Sequence, residues 1–574
     1  MKAITKWFIV LFILISGFSF VHAQAPNQQG FEIMKNLDIY SSMIKVLDQD
    51  YVDEINPGEL TEHGIDAMLE SLDPYTNYIP ESEVEDYKFI TTGQYGGIGA
   101  LIHQQGDYVI ISEPYENSPA VKAGLKAGDK ILEINGQQAK GKTYDQVSAI
   151  LKGQAGTPVN LLVQRDGLDK PFEKTINREI IKIENIPYYG MVDKNIGYIK
   201  LTGFTQNAGK EVKQAFLKLK EINDLKGVII DLRGNGGGLL NEAVEISNIF
   251  VERNQEIVGT KGKQPDKNHT YFTMSPPVDL SIPLVVMVDN QSASASEILA
   301  GAMQDLDRGV IIGQRTFGKG LVQNVVPLSY NAQMKITVAK YYIPSGRCIQ
   351  AIDYSHKDNQ GKFGQIPDSL IRPFKTKHGR TVFDGGGLSP DIKTKPRFFS
   401  RIAMSLYSKF LVFDFATKFE QEHPMIAPPD QFQITDSTYS DFLAYISDKK
   451  YDYTTRSEQA LDRLKKEAEK ENYFAAIKDE YDHLRTRMES DKKEDLNKYK
   501  EQIVELLRME IVTRYFYQKG KIESSLRQDP DLAVAISTLK DPEKYSAILS
   551  GKFVQPDTET QKPEEEDETT AGQN

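Results

Sequence analysis

The sequence predicts a multidomain protein of the α+β class, in which a small β-rich domain precedes an α/β core and helical regions stand at both ends. Residues 190–345 alternate apolar β-branched runs with helical patterns, as an α/β core does. Residues 93–167 alternate strand patterns with glycine turns. Residues 24–92 and 388–519 have helical patterns, and the second stretch contains no glycine. A chain of 574 residues is long enough for about two to four domains.

The N-terminus has the pattern of an export signal. Lys2 and Lys6 precede an apolar run over residues 7–15, and residues 21–23 end it in a small-residue cleavage pattern. Residues 1–23 are therefore expected to form a secretory signal peptide and to direct the protein to the periplasm. The alternative is an uncleaved anchor that holds the protein at the inner membrane, although the run is short for a spanning helix.

The composition excludes several kinds of protein. The formal net charge is −12, and loss of the two lysines within residues 1–23 lowers it to −14. An acidic protein gains little from contact with phosphates, so nucleic-acid binding is not expected. Cys348 is the only cysteine, which excludes an intramolecular disulfide and a cysteine-ligated structural zinc. No ligand cluster predicts a metal, and no cofactor is expected.

A peptide-binding module is predicted at residues 93–167. A glycine-rich run at 94–99 precedes the strand patterns, and the last strand covers 159–164. Thr143 and Gln146 have the spacing of a capping box and open a helix before that last strand. This order of elements resembles a PDZ domain.

The glycine-rich run suits recognition of a chain end. Glycines let backbone N–H groups turn inward around a carboxylate, and the adjacent strand edge accepts an extended peptide. The resemblance therefore implies protein or peptide substrates held by their C-terminal tails. The carboxylate-loop candidates are Tyr95, Gly96, Gly97, Ile98 and Gly99. The alternative is that these glycines only make a turn and that the domain acts as a gate.

Three buried strand patterns end in loops that carry reactive residue types. The first runs into a glycine-rich loop at 233–238, the second into a serine-rich run at 292–296, and the third into a loop that contains Lys319. In open α/β sheets such strand ends line the active site. A serine at a strand-to-helix turn is exposed beside free helix N–H groups, which stabilise a developing oxyanion. A desolvated lysine nearby can lose its proton near neutral pH and act as a general base.

These loops also carry a family resemblance. The run Ser-Ala-Ser-Ala-Ser-Glu at 292–297, followed by Phe-Gly-Lys-Gly-Leu-Val-Gln at 317–323, resembles the carboxy-terminal processing (tail-specific) peptidases. Further matching motifs stand at 231–238, 342–347 and 390–392. The likeness covers residues 35–400 and departs from the family at Cys348, where serine is more usual.

The resemblance implies a fold and a set of roles. The core is expected to have the crotonase-like/ClpP-like α/β fold, with the PDZ domain inserted before it. The middle serine of the triplet, Ser294, maps to the nucleophile, and Lys319 maps to the general base. Gln323 maps to the residue that positions the lysine amine. The oxyanion hole maps to the backbone N–H groups of Ala295 and Gly237.

Other interpretations of these residues stay open. The serine run alone also fits a low-complexity turn or a helix cap. A Ser-His-Asp triad needs a histidine, and none falls between His269 and His356. Glu297 fits a first-turn acid that favours the helix dipole better than it fits a catalyst. For the whole protein, the alternative is a non-catalytic periplasmic scaffold that binds peptides through its PDZ domain.

The C-terminal region shows apolar stripes at helical spacing. The first stripe consists of Phe474, Ile477, Tyr481, Leu484 and Met488, and the second of Leu496, Tyr499, Ile503 and Leu506. Such stripes face a partner surface. Packing onto the core is the main interpretation, and docking of an adaptor or self-association is the alternative. The acidic tail at 557–574 is expected to be disordered.

Together these features predict an exported serine endopeptidase that cuts proteins recognised by their C-terminal tails. The chemistry uses a serine nucleophile, a lysine general base and an acyl-enzyme intermediate. The predicted boundaries are 1–23 for the signal peptide, 24–92 for the N-terminal helical region, 93–167 for the PDZ domain, 168–400 for the protease core, 401–556 for the C-terminal helical region and 557–574 for the tail.

Overall fold

The computed structural model describes residues 28–222, 224–357, 361 and 363–553. The chain forms two compact units, which meet in the sequence between Tyr78 and Ile79. The predicted signal peptide and acidic tail lie outside the described residues, and both stay predictions. Among the helices that the structure describes, none is both long and apolar enough to cross a membrane.

The first unit is helical, as its sequence pattern predicts. Helix α1 spans Gln28–Asp50 and helix α2 spans Pro57–Glu70. Asn56 caps α2, because its side-chain oxygen accepts a hydrogen bond from the Gly58 amide at 3.0 Å. Strand β1, Asn77–Ile79, follows at the boundary between the units.

The predicted PDZ region begins the second unit. Its elements and those that flank it are α3 (Val84–Thr92), β2 (Gln94–Gly97), β3 (Ala100–Gln105), β4 (Tyr108–Pro114), α4 (Pro119–Lys122), β5 (Lys130–Ile134), β6 (Gln137–Gln138), α5 (Tyr144–Leu151), β7 (Pro158–Gln164), β8 (Phe172–Asn177) and β9 (Glu179–Lys182). The sheet order is β3–β4–β5–β7–β8, which leaves β3 at one edge. Val109, Ile131 and Val147 are fully buried in its core.

The capping box predicted for α5 is confirmed. The Gln146 amide donates to Thr143 Oγ1 at 3.3 Å, and the Thr143 amide donates to Gln146 Oε1 at 3.0 Å. This reciprocal pair satisfies two backbone donors that a helix start leaves free. The helix therefore begins where the sequence places it, beside the edge strand β3.

The α/β core follows. Its elements are β10 (Tyr188–Asp193), β11 (Ile196–Lys200), α6 (Ala208–Glu221), β12 (Gly227–Asp231), α7 (Leu240–Ser247), β13 (Glu256–Gly262), β14 (His269–Phe272), β15 (Leu284–Val288), α8 (Ala295–Asp305), β16 (Val310–Gly313), β17 (Leu321–Pro327), β18 (Gln333–Tyr342), β19 (Ile352–Lys357), β20 (Phe363–Gln365), β21 (Pro373–Lys375), β22 (Thr381–Phe383) and β23 (Ile392–Lys393). The main sheet has the order β10–β11–β12–β15–β16–β23, with β10 antiparallel and the other strands parallel. A second sheet forms where β18 pairs with β13 and β17, and β13 pairs with β14.

The main sheet is covered on both faces, which explains why its strands are apolar throughout. Ile230 belongs to the core shared with α6, α7 and α8, whereas its neighbour Ile229 belongs to the core on the opposite face. Successive side chains of a strand point to opposite faces, so one apolar run serves two cores.

The C-terminal region is helical. Its helices are α9 (Arg401–Ser408), α10 (Leu411–Glu422), α11 (Asp436–Ile446), α12 (Arg456–Lys470), α13 (Phe474–Lys498), α14 (Lys500–Leu526), α15 (Pro530–Lys540) and α16 (Pro542–Leu549). Helices α15 and α16 supply the core on the second face of the main sheet, where Leu532 and Leu539 are buried with Ile229. Helices α9, α10, α11 and α14 form a separate core around Phe415 and Phe442.

The two predicted stripes have different outcomes. The second is not one continuous helix, because α13 ends at Lys498 and Tyr499 leaves helical geometry at φ −107° and ψ 23°. Beyond this break Ile503 is fully buried, so packing inside the protein accounts for it. In the first stripe Tyr481 is buried but Leu484 is 48% exposed. Adaptor docking or self-association through this region stays a prediction.

The PDZ region packs against α10 and α14. The His103 ring stacks on Phe410 with the ring centroids 4.2 Å apart, and Phe413 meets it edge-on at 4.8 Å. Lys126 pairs with Glu420 at 2.6 Å. These contacts join parts of the chain about 300 residues apart, and the sequence analysis did not predict them.

Candidate active site

The three predicted loops meet at the carboxyl edge of the main sheet. Strands β12, β15 and β16 are parallel neighbours, so the chain leaves all three at the same edge. The Ala293 amide donates to the Asn235 carbonyl at 3.0 Å, and the Phe317 amide donates to the Ser292 carbonyl at 3.1 Å. The serine loop therefore lies between the glycine-rich loop and the lysine loop.

Ser294 differs from the serines on either side of it. It caps α8 with φ 55° and ψ −113°, a conformation that costs energy in a residue with a Cβ atom. Ser294 is partly exposed to solvent, whereas Ser292 and Ser296 are fully buried. The Ser292 hydroxyl donates to the Leu232 carbonyl at 2.9 Å. The hydroxyl of Ser296 donates to the Asn235 carbonyl at 2.8 Å.

The glycines on both sides of Lys319 allow the lysine loop to pack closely against neighbouring backbone. A Cβ atom on Gly318 would lie 2.4 Å from the Ala351 Cβ, and Gly318 has φ 86°. A Cβ atom on Gly320 would lie 2.9 Å from the Gln350 amide nitrogen. Substitution at either glycine would therefore displace Lys319.

Gln323, the predicted partner of the lysine amine, lies on β17 four residues after Lys319. Its side-chain amide donates to Thr337 Oγ1 of β18 at 3.2 Å. This bond holds the Gln323 side chain against the neighbouring strand. The role of Gln323 in positioning the amine stays a prediction.

The two predicted oxyanion donors lie next to Ser294. A Cβ atom on Gly237 would come within 2.9 Å of both the Ala295 nitrogen and the Ser294 Cβ. The Ala295 amide opens helix α8, where backbone N–H groups are free to bind an anion. The Gly237 amide, however, donates to Asn235 Oδ1 at 2.9 Å. Its use as an oxyanion donor, which stays a prediction, requires that bond to be released.

Glu297 has contacts that the sequence analysis missed. It stands in the first turn of α8, as predicted, but its carboxylate is fully buried against the lysine loop. Oε1 accepts from Thr316 Oγ1 at 2.6 Å and from the Gly318 amide at 2.7 Å. Oε2 accepts from the Ser294 and Lys319 amides, each at 2.9 Å. Burial raises the pKa of Glu297 to about 7, although these four hydrogen bonds act in the opposite direction.

A network of ion pairs joins the start of the glycine-rich loop to neighbouring strands and helices. Asp231, at the end of β12, is buried and pairs with Lys200 at 3.3 Å and with Arg233 at 2.7 Å. Burial alone would raise the pKa of Asp231, but the two cations override it and hold the pKa well below its usual range. Arg233 also pairs with Asp529, the residue that caps α15, at 2.6 Å. The loop is thereby joined to the C-terminal helices.

The predicted carboxylate loop lies at the start of the edge strand β3, but not all of it is a loop. Tyr95, Gly96 and Gly97 belong to β2, which pairs with β9. Ile98 is buried in the PDZ core, and Gly99 alone of the five has a positive φ, 74°. The carboxylate-binding role of these residues stays a prediction, and a nest can form only around Gly99 in this backbone.

Two glycines of this run are fixed by close neighbours. A Cβ atom on Gly96 would lie 2.1 Å from the Gly153 carbonyl oxygen, and one on Gly97 would lie 2.7 Å from the Tyr95 ring. Burial raises the pKa of Tyr95 to about 12, so its phenol stays neutral at physiological pH. Substitution of either glycine would distort the strand before it reached a ligand.

Comparison with known proteins gives three matches to family models. Residues 195–356 match peptidase family S41, residues 110–165 match a PDZ domain, and residues 402–539 match the C-terminal helical domain of probable PDZ-proteases. These matches confirm the predicted order of a PDZ domain, a serine protease core and a helical C-terminal region. Among the residues that the structure describes, no group of three or more His, Cys, Asp or Glu side chains is arranged to hold a metal ion.

Similar proteins carry a consistent name. A carboxy-terminal-processing protease of Bartonella bacilliformis is 35% identical over 351 residues, which are 60% of this chain and 80% of that protein. The carboxy-terminal processing protease CtpA of Bacillus subtilis is 29% identical over 466 residues, which are 80% of this chain and 96% of that protein. Among solved structures, the photosystem II D1 C-terminal processing protease is 27% identical, and the match covers 63% of this chain and 93% of that one with a TM-score of 0.35.

Proposed function

Because the chain belongs to the carboxy-terminal processing proteases of peptidase family S41 and is therefore a serine-type peptidase, we propose that Ser294 is its nucleophile and Lys319 its general base. The observation that carries this assignment is the difference among the three serines. Ser292 and Ser296 are buried and their hydroxyls are bonded within the protein, whereas Ser294 is partly exposed at a strained turn.

The proposed reaction has two halves. The neutral Lys319 amine takes the proton from Ser294 Oγ as that oxygen attacks the substrate carbonyl. The Ala295 amide donates a hydrogen bond to the oxyanion. The Gly237 amide does the same once its own hydrogen bond to Asn235 Oδ1 is released. The C–N bond then breaks, and the lysine ammonium returns the proton to the leaving amine. In the second half, Lys319 takes a proton from water as the water oxygen attacks the acyl carbon. The bond between that carbon and Ser294 Oγ then breaks, and the lysine ammonium returns the proton to Oγ, which releases the acid product and regenerates the serine.

The PDZ domain is proposed to select substrates by their C-terminal tails. Strand β3 is the edge of its sheet and lies beside α5, so an extended peptide can pair with its free edge. The carboxylate would lie near Gly99. Substrates that differ only in a free or amidated C-terminus test this proposal: the free acid is expected to be cut faster, and equal rates would exclude recognition of the carboxylate.

Export is the remaining part of the proposal. Residues 1–23 are proposed to act as a signal peptide, which places the protease in the periplasm; retention of that segment would hold it at the inner membrane. N-terminal sequencing of protein purified from the producing cell distinguishes the two, because cleavage leaves residue 24 as the new N-terminus.

Covalent labelling tests the catalytic assignment. A fluorophosphonate is expected to label wild-type protein at Ser294, and Lys319→Ala is expected to label much more slowly, since the serine then lacks its base. Lys340→Ala, in the neighbouring strand β18, is the matched control for loss of a lysine. Peptide binding without labelling or cleavage in wild-type protein would favour the non-catalytic scaffold instead.

A further inference from the structure

The contacts of Glu297 bridge the two loops that carry the proposed catalytic pair. Its carboxylate accepts from the Ser294 amide on one side, and on the other side it accepts from Thr316 and from the Gly318 and Lys319 amides. One buried side chain therefore fixes the backbone of both Ser294 and Lys319. The sequence separates Glu297 from these lysine-loop donors by 19 to 22 residues.

The chemistry of the contact requires a carboxylate. All four partners are hydrogen-bond donors, and each carboxylate oxygen receives two of them. An ionised carboxylate has acceptor sites for all four. A glutamine at this position would turn an NH₂ group toward two donors, so at least one backbone amide would lose its partner in a buried place.

Tyr341 makes a second bridge between the same loops. It stands on β18, its side chain is 1% exposed, and its hydroxyl donates to the Lys319 carbonyl at 2.6 Å. The Ser294 carbonyl lies 3.2 Å from the same hydroxyl oxygen. Glu297 thus holds the two residues through their amides, and Tyr341 contacts them through their carbonyls.

We propose that Glu297 and Tyr341 are positioning residues that hold Ser294 and Lys319 at the separation needed for proton transfer. The inference rests on the proposed Ser294–Lys319 pair. Neither residue touches the substrate in this scheme. Displacement of a reacting group by about 1 Å can lower a rate by about 100-fold, so small shifts of either loop are expected to reduce turnover.

The test measures turnover per active site in the full chain. An unstructured reporter protein with a free apolar C-terminus serves as substrate, and a fluorophosphonate taken to its end point counts the sites that can react. Glu297→Gln is expected to lower kcat per labelled site by about 100-fold and to leave KM within about twofold. Tyr341→Phe, which removes one oxygen atom, is expected to lower kcat per site by about 10-fold, the equivalent of one hydrogen bond.

Two variants serve as matched controls. Tyr342→Phe makes the same chemical change at the next residue of β18. Asp391→Asn neutralises another carboxylate, whose side chain is 8% exposed. It accepts hydrogen bonds from Gln304, Arg380 and the Ile311 amide, away from the catalytic loops. Both are expected to keep wild-type kcat per labelled site, and Asp391→Asn is expected to lower the melting temperature.

The outcomes are distinguishable. If activity falls only in proportion to the labelled fraction, Glu297 and Tyr341 are merely structural and the inference is wrong. If Glu297→Gln does not fold, Tyr341→Phe alone decides the question. A double variant that loses the full product of the two single effects would show independent roles and contradict the shared one. Should Lys319→Ala retain wild-type turnover, the proposed catalytic pair itself fails, whatever these variants show.

Discussion

The assignment of Ser294 as the nucleophile can be tested by comparing alanine substitutions of the three serines at positions 292, 294 and 296. Ser294→Ala is expected to abolish cleavage, with a loss of about 10⁴-fold or more, because removal of a nucleophile leaves only binding and oxyanion stabilisation. It is expected to leave the melting temperature nearly unchanged, since alanine and serine both carry a Cβ atom and meet the positive φ at this turn equally.

Ser292→Ala is expected to keep the activity and to lower the stability of the protein. Its hydroxyl donates to the buried Leu232 carbonyl at 2.9 Å and accepts from the Asp289 amide at 2.9 Å. Loss of the hydroxyl leaves both groups without that partner, at a cost of about 1–2 kcal/mol each and about 2–4 kcal/mol together. At about 2–4 °C for each kcal/mol, the melting temperature should fall by roughly 5–15 °C.

Scanning calorimetry and fluorophosphonate-normalised cleavage measure the two effects separately. The expected result is an inactive, stable Ser294→Ala and an active, less stable Ser292→Ala. Ser296→Ala, which loses one bond to the Asn235 carbonyl, is expected to fall between wild type and Ser292→Ala in stability. Normal cleavage by Ser294→Ala together with loss of labelling in either neighbour would refute the argument from burial.

Three further predictions concern the base, the domain contact and the charged network. Lys319→Arg should be inactive even at about pH 9, because a guanidinium does not lose its proton and cannot act as a base; near-wild-type turnover would exclude the lysine mechanism. Phe410→Ala removes the ring on which His103 stacks. Hydrogen exchange in β3 and β4 should therefore become faster, while kcat per site on a short peptide is retained. Unchanged exchange would show that this contact does not hold the PDZ domain against the C-terminal helices. Arg233→Met removes one of the two cations that pair with the buried Asp231 and should destabilise the protein at pH 7. The cost should stay below the roughly 3–5 kcal/mol of a buried charge left without any partner, because Lys200 still pairs with Asp231. The pKa of Asp231 is lowered by folding, so its stabilisation is present above its unfolded pKa of about 4 and is lost as pH falls toward the folded value. The stability difference from wild type should therefore narrow in acid, and a constant difference measured by denaturant titration would argue against charge pairing.

The sequence alone was sufficient for the local features of the site. Apolar runs predicted β12, β15 and β16, and parallel strands necessarily end at one edge, so the three loops were expected to meet. The capping box at Thr143 was predicted from residue types three positions apart and is present. The family and the order of its domains followed from the resemblance of the sequence motifs to those of known peptidases and PDZ domains. Each of these features depends on neighbours in the sequence or on a rule that applies to every sheet of this kind.

Only the tertiary structure decided which groups those residues contact. From the sequence, Glu297 was interpreted as a first-turn acid. Its carboxylate accepts hydrogen bonds from the lysine loop only because α8 packs against that loop in the folded protein. The second face of the main sheet is covered by Leu532 and Leu539, about 300 residues beyond the strand they cover. The Gly237 amide, which the family resemblance implies as an oxyanion donor, donates to Asn235 of its own loop in this structure. Periodicity and spacing report which face of an element is apolar or polar, but the partner of a buried group depends on which distant segment fills the space beside it.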